Sequence, residues 1–176
     1  MERASRATGM VEAVADRSFI DLIGPHVQPG YRLACAMLHD PTMAEDIVQE
    51  ASLIAWKKLH KIEDPSGVRS WFLRIVANEC RNARRRRWST RVSTGLPDVR
   101  DERSSEEHAI RRADLRRALL RLGHDERLIV ILYFYLDLPM EDVAAVAGTS
   151  VSAARSRLYR SIQRLRPDVD IEEAIR

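Results

Sequence analysis

Residues 68–87, VRSWFLRIVANECRNARRRR, carry two patterns at helical spacing. Val68, Trp71, Phe72, Ile75, Val76, Cys80 and Ala83 recur every three or four residues, the period of one buried stripe. Arg74, Asn78, Arg81, Asn82 and Arg85 share the other side, and the helix runs out into Arg84, Arg85, Arg86 and Arg87. One face is built to sit on a core and the other to approach a polyanion. Arginine's planar fork suits phosphates, and asparagine's paired donor and acceptor suit base edges. Taken alone, the same helix reads equally well as a solvated basic face without a ligand, so the surrounding chain has to discriminate.

The 176 residues suit one domain or two small ones. Net charge is only +3, but its distribution is uneven. Between positions 69 and 91 stand eight arginines (69, 74, 81, 84, 85, 86, 87 and 91) against the single acid Glu79. Residues 111–121 and 155–166 are arginine-rich as well. Positive charge concentrated in this way points to nucleic acid. Cys35 and Cys80 each fall at an apolar helical position, which fits free thiols in a reducing compartment. The N-terminal residues lack the apolar centre of a signal peptide, and the longest apolar run, residues 128–136, is too short to span a bilayer. A cytoplasmic protein with no membrane insertion of its own is expected.

Residues 1–17 read as a polar or weakly helical lead-in. Ser18 can cap a short helix bearing Phe19, Leu22 and Ile23. Pro25 and Pro29 are expected to interrupt any continuous helix, with Pro29 opening a second one that buries Leu33, Ala34, Met37 and Leu38. Asp40-Pro41 is an N-cap followed by a first-turn proline, and starts a helix to about Leu59. Ala44, Ile47, Val48, Ala51, Ile54 and Ala55 form its inner stripe, while Asp46, Gln49, Glu50 and Leu53 form an acidic second stripe with an apolar neighbour. That mixed face suggests docking. Asp64-Pro65-Ser66-Gly67 reads as a turn before the basic helix. Residues 89–104 lose both periodicities and read as a flexible linker. Ser104 with Glu107 matches a capping box, and the helix after it offers Ile110, Ala113, Leu115, Leu119 and Leu122 for packing.

Residues 128–136, LIVILYFYL, suit a buried strand or a buried helix. The chain offers no partner strand, and an unpaired strand cannot satisfy its backbone, so a buried helix is expected. Residues 139–147 then form a short amphipathic helix, Gly148-Thr149-Ser150 a tight turn, and residues 151–166 a helix bearing Arg155, Arg157, Arg160, Arg164 and Arg166. A helix, a glycine turn and a basic second helix make the helix-turn-helix pattern, whose second helix enters the major groove. Small Ala144 lets the two helices cross closely. Pro167 ends the chain's last helix, leaving residues 168–176 as an acidic tail. The expected fold is all-α: two small helical domains joined by a flexible linker, the second containing the helix-turn-helix.

With these modules laid out, the chain resembles an extracytoplasmic-function sigma factor, the small specificity subunit of bacterial RNA polymerase. AEDIVQEA followed by Trp56, the basic helix at 68–87 and the helix-turn-helix appear in the family's order. The resemblance implies a region 2 domain at 18–88, a linker at 89–104 and a region 4 domain at 105–167. It implies that Asp46, Gln49, Glu50 and Leu53 dock on core RNA polymerase. Around the minus-ten element it places Lys61, Asp64 and Ser66 in a loop that captures a flipped base, Arg74 and Asn78 on the following helix, and Arg81, Arg84 and Arg85 on phosphates. Ser152, Arg155, Ser156, Tyr159 and Arg160 fall where family members meet the minus-thirty-five element. An anti-sigma factor is an implied further partner. Ser152, Ala153 and Ala154 depart from the commoner Gly-Thr-Val, and Thr149 replaces the usual apolar residue after glycine.

A stand-alone helix-turn-helix regulator is the alternative, but it leaves the AEDIVQEA face and the basic helix unused. An enzyme is not expected. His26, His39, His60, His108 and His124 lie on separate segments without metal-ligand spacing and read as surface or capping residues, and no glycine motif cradles a phosphate. Neither cofactor nor metal is implied.

Overall fold

A computed structural model of the chain describes residues 2–59, 65–90 and 106–165. Among these, every regular element is helical: α1 (Glu2–Leu38), α2 (Pro41–Lys58), α3 (Val68–Thr90), α4 (Glu106–Arg121), α5 (His124–Val130), α6 (Met140–Ala147) and α7 (Val151–Leu165). The all-α expectation holds, and residues 128–136 are helical up to Tyr135 as expected, but only 128–132 and Leu136 are buried, since Tyr133 and Tyr135 are exposed.

The beginning of the chain differs from its reading. The backbone is helical from Glu2, and Ser18, Pro25 and Pro29 all lie inside the single helix α1. The four-residue spacing of the prolines places both on one side of it. The carbonyls they leave without an N–H donor belong to Asp21 and Pro25, both exposed, where water can replace the lost bonds. On the inner side Ile23, Leu33, Ala34 and Met37 are buried and hold the helix against α2 and α3. Gly30 is the point of closest approach: a Cβ there would stand 2.9 Å from Phe72 Cε1 and 3.3 Å from Val76 Cγ2.

Helix α2 begins as its cap predicts, with Met43 N–H donating to Asp40 Oδ1 at 3.0 Å and Pro41 in the first turn. Ala44, Ile47, Val48, Ala51 and Ala55 are its buried residues. Val68, Phe72, Val76, Cys80 and Ala83 of α3 are buried as expected, joined by Leu73 and Ala77. Complete burial of a ring such as Phe72 contributes about 1.5–3 kcal/mol. Helix α3 continues to Thr90, so the segment after it starts two residues later than the predicted linker. Residues 91–105 and the capping serine Ser104 lie outside the described residues.

Gly123 separates α4 from α5, and its N–H donates to Glu126 Oε2 at 3.0 Å. Leu128, Ile129, Val130, Ile131 and Leu132 are all buried. The helix then widens into a π turn, Ile131–Tyr135, in which Leu136 N–H reaches back five residues to Ile131 O at 3.0 Å. Asp137, at φ 51°, ends it. Helices α6 and α7 pack on α5, and α6 also packs on α3. A single apolar cluster therefore runs from Ile23 to Leu165.

Arg127, 7% exposed, joins the two halves. Its Nε donates to Leu119 O at 2.9 Å, and its Nη2 to Leu120 O and Leu122 O at 3.2 Å each. Its Nη1 crosses to Met37 O at the end of α1, at 3.3 Å. All four acceptors are carbonyls in or beside the last turns of α1 and α4, where unpaired C=O groups concentrate negative potential. His39 ends α1 in the left-handed region at φ 56°, donating its N–H to Cys35 O at 2.8 Å. Its ring is not on the surface as expected: Nε2 is shielded without a hydrogen-bond partner. Burial, then the Arg127 and Arg116 guanidinium groups, bring its pKa down to about 4.

Arg127→Met should lower stability to urea by about 2–4 kcal/mol, because buried carbonyls lose charge-assisted donors. Arg127→Lys should recover only part of this, since one ammonium cannot span acceptors on two helices. The His39 shift also sets an acid dependence. Between pH 6.5 and 4 the unfolded chain binds a proton that the folded chain refuses, so stability should fall as pH drops through that window and level off below it. His39→Asn tolerates the left-handed backbone and does not titrate. Urea midpoints at pH 7 and 4.5 should show a smaller acid loss in the variant.

Candidate nucleic-acid interface

Burial of the apolar stripe on α1 and α2 fixes which way α3 turns its charges. Arg74, Asn78, Asn82, Arg84, Arg85 and Arg86 are exposed, and Arg81 is half-buried. Arg81 is shared, with Nη1 donating to Asn78 Oδ1 at 3.3 Å and Nη2 to Asp125 Oδ1 at 3.1 Å. Asn82 Nδ2 donates to Glu79 Oε1 at 3.1 Å. Arg81, Arg84 and Arg85 line one cleft with residues 123–126 at the start of α5. The predicted minus-ten residues Arg74, Asn78, Arg81, Arg84 and Arg85 thus share a helix face. Ser66 is exposed in the turn just before it, Pro65–Gly67. Lys61 and Asp64 lie outside the described residues.

The second basic surface is built by a local turn. Gly148 adopts φ 65° and ψ 40°, and its N–H returns to Ala144 O and Ala145 O. Ala144 is buried, as a close crossing requires. Ser150 Oγ accepts from Ala153 N–H at 3.2 Å, capping α7. Ala154, Leu158, Ser161 and Leu165 point inward. Spacing then forces Ser152, Arg155, Ser156, Tyr159 and Arg160 outward, and all five are exposed. Ser161 tolerates burial because its hydroxyl donates to Arg157 O at 2.8 Å. Glu126 Oε1 and Oε2 hold Arg164 Nη1 at 2.9 and 3.0 Å.

A third surface is acidic and apolar. Asp46, Gln49, Glu50 and Leu53 are exposed along α2. Gln49 and Leu53 also line a groove with Phe19, Val27, Val48, Ser52 and Trp56. Leu53 and Trp56 expose 53% and 50% of their surface, high for such large apolar side chains. Trp56 stands three residues beyond Leu53, so the helical period that marked the acidic face could have included it. Phe19 and Val27 come from α1, and no local signal relates them to α2.

Contacts between the halves were also missed. Ser70 Oγ donates to Asp142 Oδ1 at 2.7 Å, and Arg69 Nη2 to Leu136 O at 3.3 Å. The Arg32 guanidinium lies 4.5 Å from the centre of the Tyr135 ring. His124 is another histidine that is not a surface residue: its Nε2 is buried without a partner, and burial holds its pKa below the usual range. For Asp125, burial favours the neutral acid, but His124 and Arg81 outweigh it and hold the carboxyl ionised. Burial pushes the Cys80 thiol up to about 12, which keeps it protonated and unreactive. Among the described residues no three His, Cys, Asp or Glu side chains come together to hold a metal, and no helix is long and apolar enough to cross a membrane.

Comparison with known proteins accounts for both halves. Residues 22–90 match the model of Sigma-70 region 2, and residues 112–165 match Sigma-70, region 4. The RNA polymerase sigma factor SigV of Bacillus subtilis is 29% identical over 154 residues, covering 88% of this chain and 92% of that protein. The ECF RNA polymerase sigma factor SigE of Mycolicibacterium smegmatis is 29% identical over 171 residues, covering 90% of this chain and 66% of the relative. In fold, the chain is similar to the sigma factor RpoE of Bartonella quintana, solved in complex with the anti-sigma factor NepR. The TM-score is 0.71 at 23% identity, over 91% of this chain and 99% of that one. The chain belongs to the extracytoplasmic-function sigma factors of the sigma-70 family, and it acts as an alternative sigma factor directing RNA polymerase to promoters.

Proposed function

We propose that the three exposed surfaces divide the work of initiation. The observation that carries this reading is their separation: α2 offers an acidic–apolar face, α3 an arginine–asparagine face, and α7 a row of arginine, serine and tyrosine. Residues 18–88 serve as the region 2 domain. Within it, Asp46, Gln49, Glu50 and Leu53 dock on the core polymerase, with Trp56, Phe19 and Val27 extending the contact along the groove. Lys61, Asp64 and Ser66 hold an extruded base of the minus-ten element, Arg74 and Asn78 read the opened strand, and Arg81, Arg84 and Arg85 bind its phosphates. Residues 89–104 link this domain to residues 105–167. There Ser152, Arg155, Ser156, Tyr159 and Arg160 meet the minus-thirty-five element as duplex. The phosphate contacts supply salt-dependent affinity, and the few base contacts supply specificity.

This is a recognition factor with no catalytic step of its own. It works in the cytoplasm beside the polymerase, under the control of an anti-sigma partner. The Bartonella quintana relative of similar fold, solved with such a partner, supports that assignment. A stand-alone regulator would need only α6 and α7 and would leave the α2 groove and the α3 face without purpose.

Run-off transcription by reconstituted holoenzyme across a promoter library tests the α7 row. Arg155→Ala or Arg160→Ala should each weaken use of the cognate promoter by about 1–3 kcal/mol, the size of a lost bidentate base contact. Unchanged promoter strength in both would remove α7 from the reading. The combined substitution Asp46→Ala/Glu50→Ala should abolish co-purification with core polymerase and leave the thermal unfolding curve in place, since both side chains are exposed.

A further inference from the structure

Arg81, Arg84 and Arg85 of α3 form one wall of a cleft of about 610 Å³, and residues 123–126 of the second half form the other. The acids in it are already committed. Asp125 Oδ1 meets Arg81 Nη2 at 3.1 Å and the His124 ring at 3.4 Å. Glu126 accepts the Gly123 N–H at 3.0 Å and holds Arg164 Nη1 at 2.9 and 3.0 Å. Arg84 and Arg85 are exposed and meet no acid among the described residues. Two positive charges therefore border the cleft without a counterion.

The groups behind the cleft add to this excess. Burial first, and then the Arg84 guanidinium, hold the pKa of buried Arg127 below its usual range, so Arg84 faces a second positive charge. For His124, burial lowers the pKa most, the hydrogen bond with Asp125 opposes it, and Arg81 and Arg84 add to the lowering. The His124 Nε2 is shielded without a hydrogen-bond partner. An anion held by Arg84 and Arg85 would offset the repulsion among these groups. The two walls are also fixed relative to each other. Arg127, next to Glu126 in the chain, donates to carbonyls of both halves, and the apolar cluster beneath is continuous. A ligand therefore finds the site preformed.

The lining decides the class of ligand. The volume is that of a small-molecule site, but no aromatic or aliphatic side chain lines it to hold a ring. Arg81 precedes Arg84 and Arg85 by three and four residues, so the three side chains reach the cleft from little more than one helical turn. Guanidinium forks take phosphoryl oxygens in pairs, and three of them suit neighbouring phosphoryl groups better than one. We propose that the cleft binds a short polyphosphate, free or as the phosphate chain of a nucleotide. Arg84 and Arg85 are its principal ligands, and Arg81, held by Asp125, is the third. The same arginines serve strand phosphates in the role proposed above for α3, so ligand and strand compete. That competition rests on the proposed role; the site itself does not.

Isothermal titration calorimetry of the full-length protein with tripolyphosphate, magnesium-free ATP and inorganic phosphate tests the site. Tripolyphosphate should bind one to one, and single phosphate roughly tenfold more weakly, since it cannot engage all the forks. ATP should match tripolyphosphate, because nothing in the lining holds a base; clearly tighter ATP binding would keep the site and assign its ligand to nucleotides. Arg84→Gln/Arg85→Gln should weaken tripolyphosphate binding by about tenfold or more. Lys57→Gln/Arg117→Gln removes the same charge at exposed positions outside the cleft and should weaken it by less than about twofold. No binding, several ligands per chain, or equal losses in the two variants would overturn the proposal. If circular dichroism shows the cleft variant unfolded, NMR of the wild type decides. Tripolyphosphate should shift the ring signals of His124 and leave those of His26 on α1 in place, and an unmoved His124 would overturn the site. Displacement of a labelled single strand separates the two readings. Tripolyphosphate binding by a chain that holds no strand would strike the role proposed for α3, whereas strand binding without tripolyphosphate binding would strike the cleft alone.

Discussion

A guanidinium in a protein interior must find acceptors, and Arg127 finds four backbone carbonyls on two helices that are distant in sequence. The last turns of α1 and α4 each leave carbonyls without intrahelical donors, and one planar fork satisfies both sets. This places the start of α5 against the end of α1 and sends the apolar residues 128–132 into the centre of the second half. The positions of α6 and α7 follow, because both pack on α5. It also encloses His39, and that burial, together with the positive charge beside the ring, keeps it neutral.

The constraint on α3 is of another kind. A helix with a full apolar stripe has one orientation on its core, and once Phe72, Val76 and Cys80 are buried the arginines have no freedom of direction. Gly30 sharpens this by allowing α1 to approach within contact of the Phe72 ring. The functional face is thus set by packing on the opposite side, which lets charged residues crowd together at little cost to the fold. The same economy governs α7, where Ala154, Leu158 and Leu165 hold the helix and Arg155, Tyr159 and Arg160 are left to the outside. Like charges along α3 repel one another, and Asp125, paired with Arg81, relieves part of that repulsion from the second half.

Features that depend on a few neighbouring residues could be read directly. Asp40 before Pro41, Gly148 at positive φ and Ser150 as a cap are each decided by local sterics and one hydrogen bond. The faces of α2, α3 and α7 were legible because helical period and polarity coincide there. The course of α1 was misread for the complementary reason. Proline's local cost at 25 and 29 is real, but it falls on the exposed side, and the burial of Ile23, Leu33 and Met37 by distant partners outweighs it. The groove on α2 was half legible: Leu53 and Trp56 announce themselves by spacing, whereas Phe19 and Val27 enter from another helix.

By itself the sequence determined an all-helical chain, the places where most helices begin and turn, and which side of each carries charge, since period, caps and turn residues are local properties. It also determined the family, because ordered motifs need no coordinates to be matched. Tertiary structure alone decided that Arg127 would close two helix ends, that Ser70 and Arg81 would meet Asp142 and Asp125, and that His39 would be enclosed beside a guanidinium. Arg127 and Met37 stand 90 positions apart, and Ser70 and Asp142 72. A backbone carbonyl is present at every residue, and an acid can answer any arginine, so no residue type marks these pairings. Only the packing of α5 and α6 on the first half selects them.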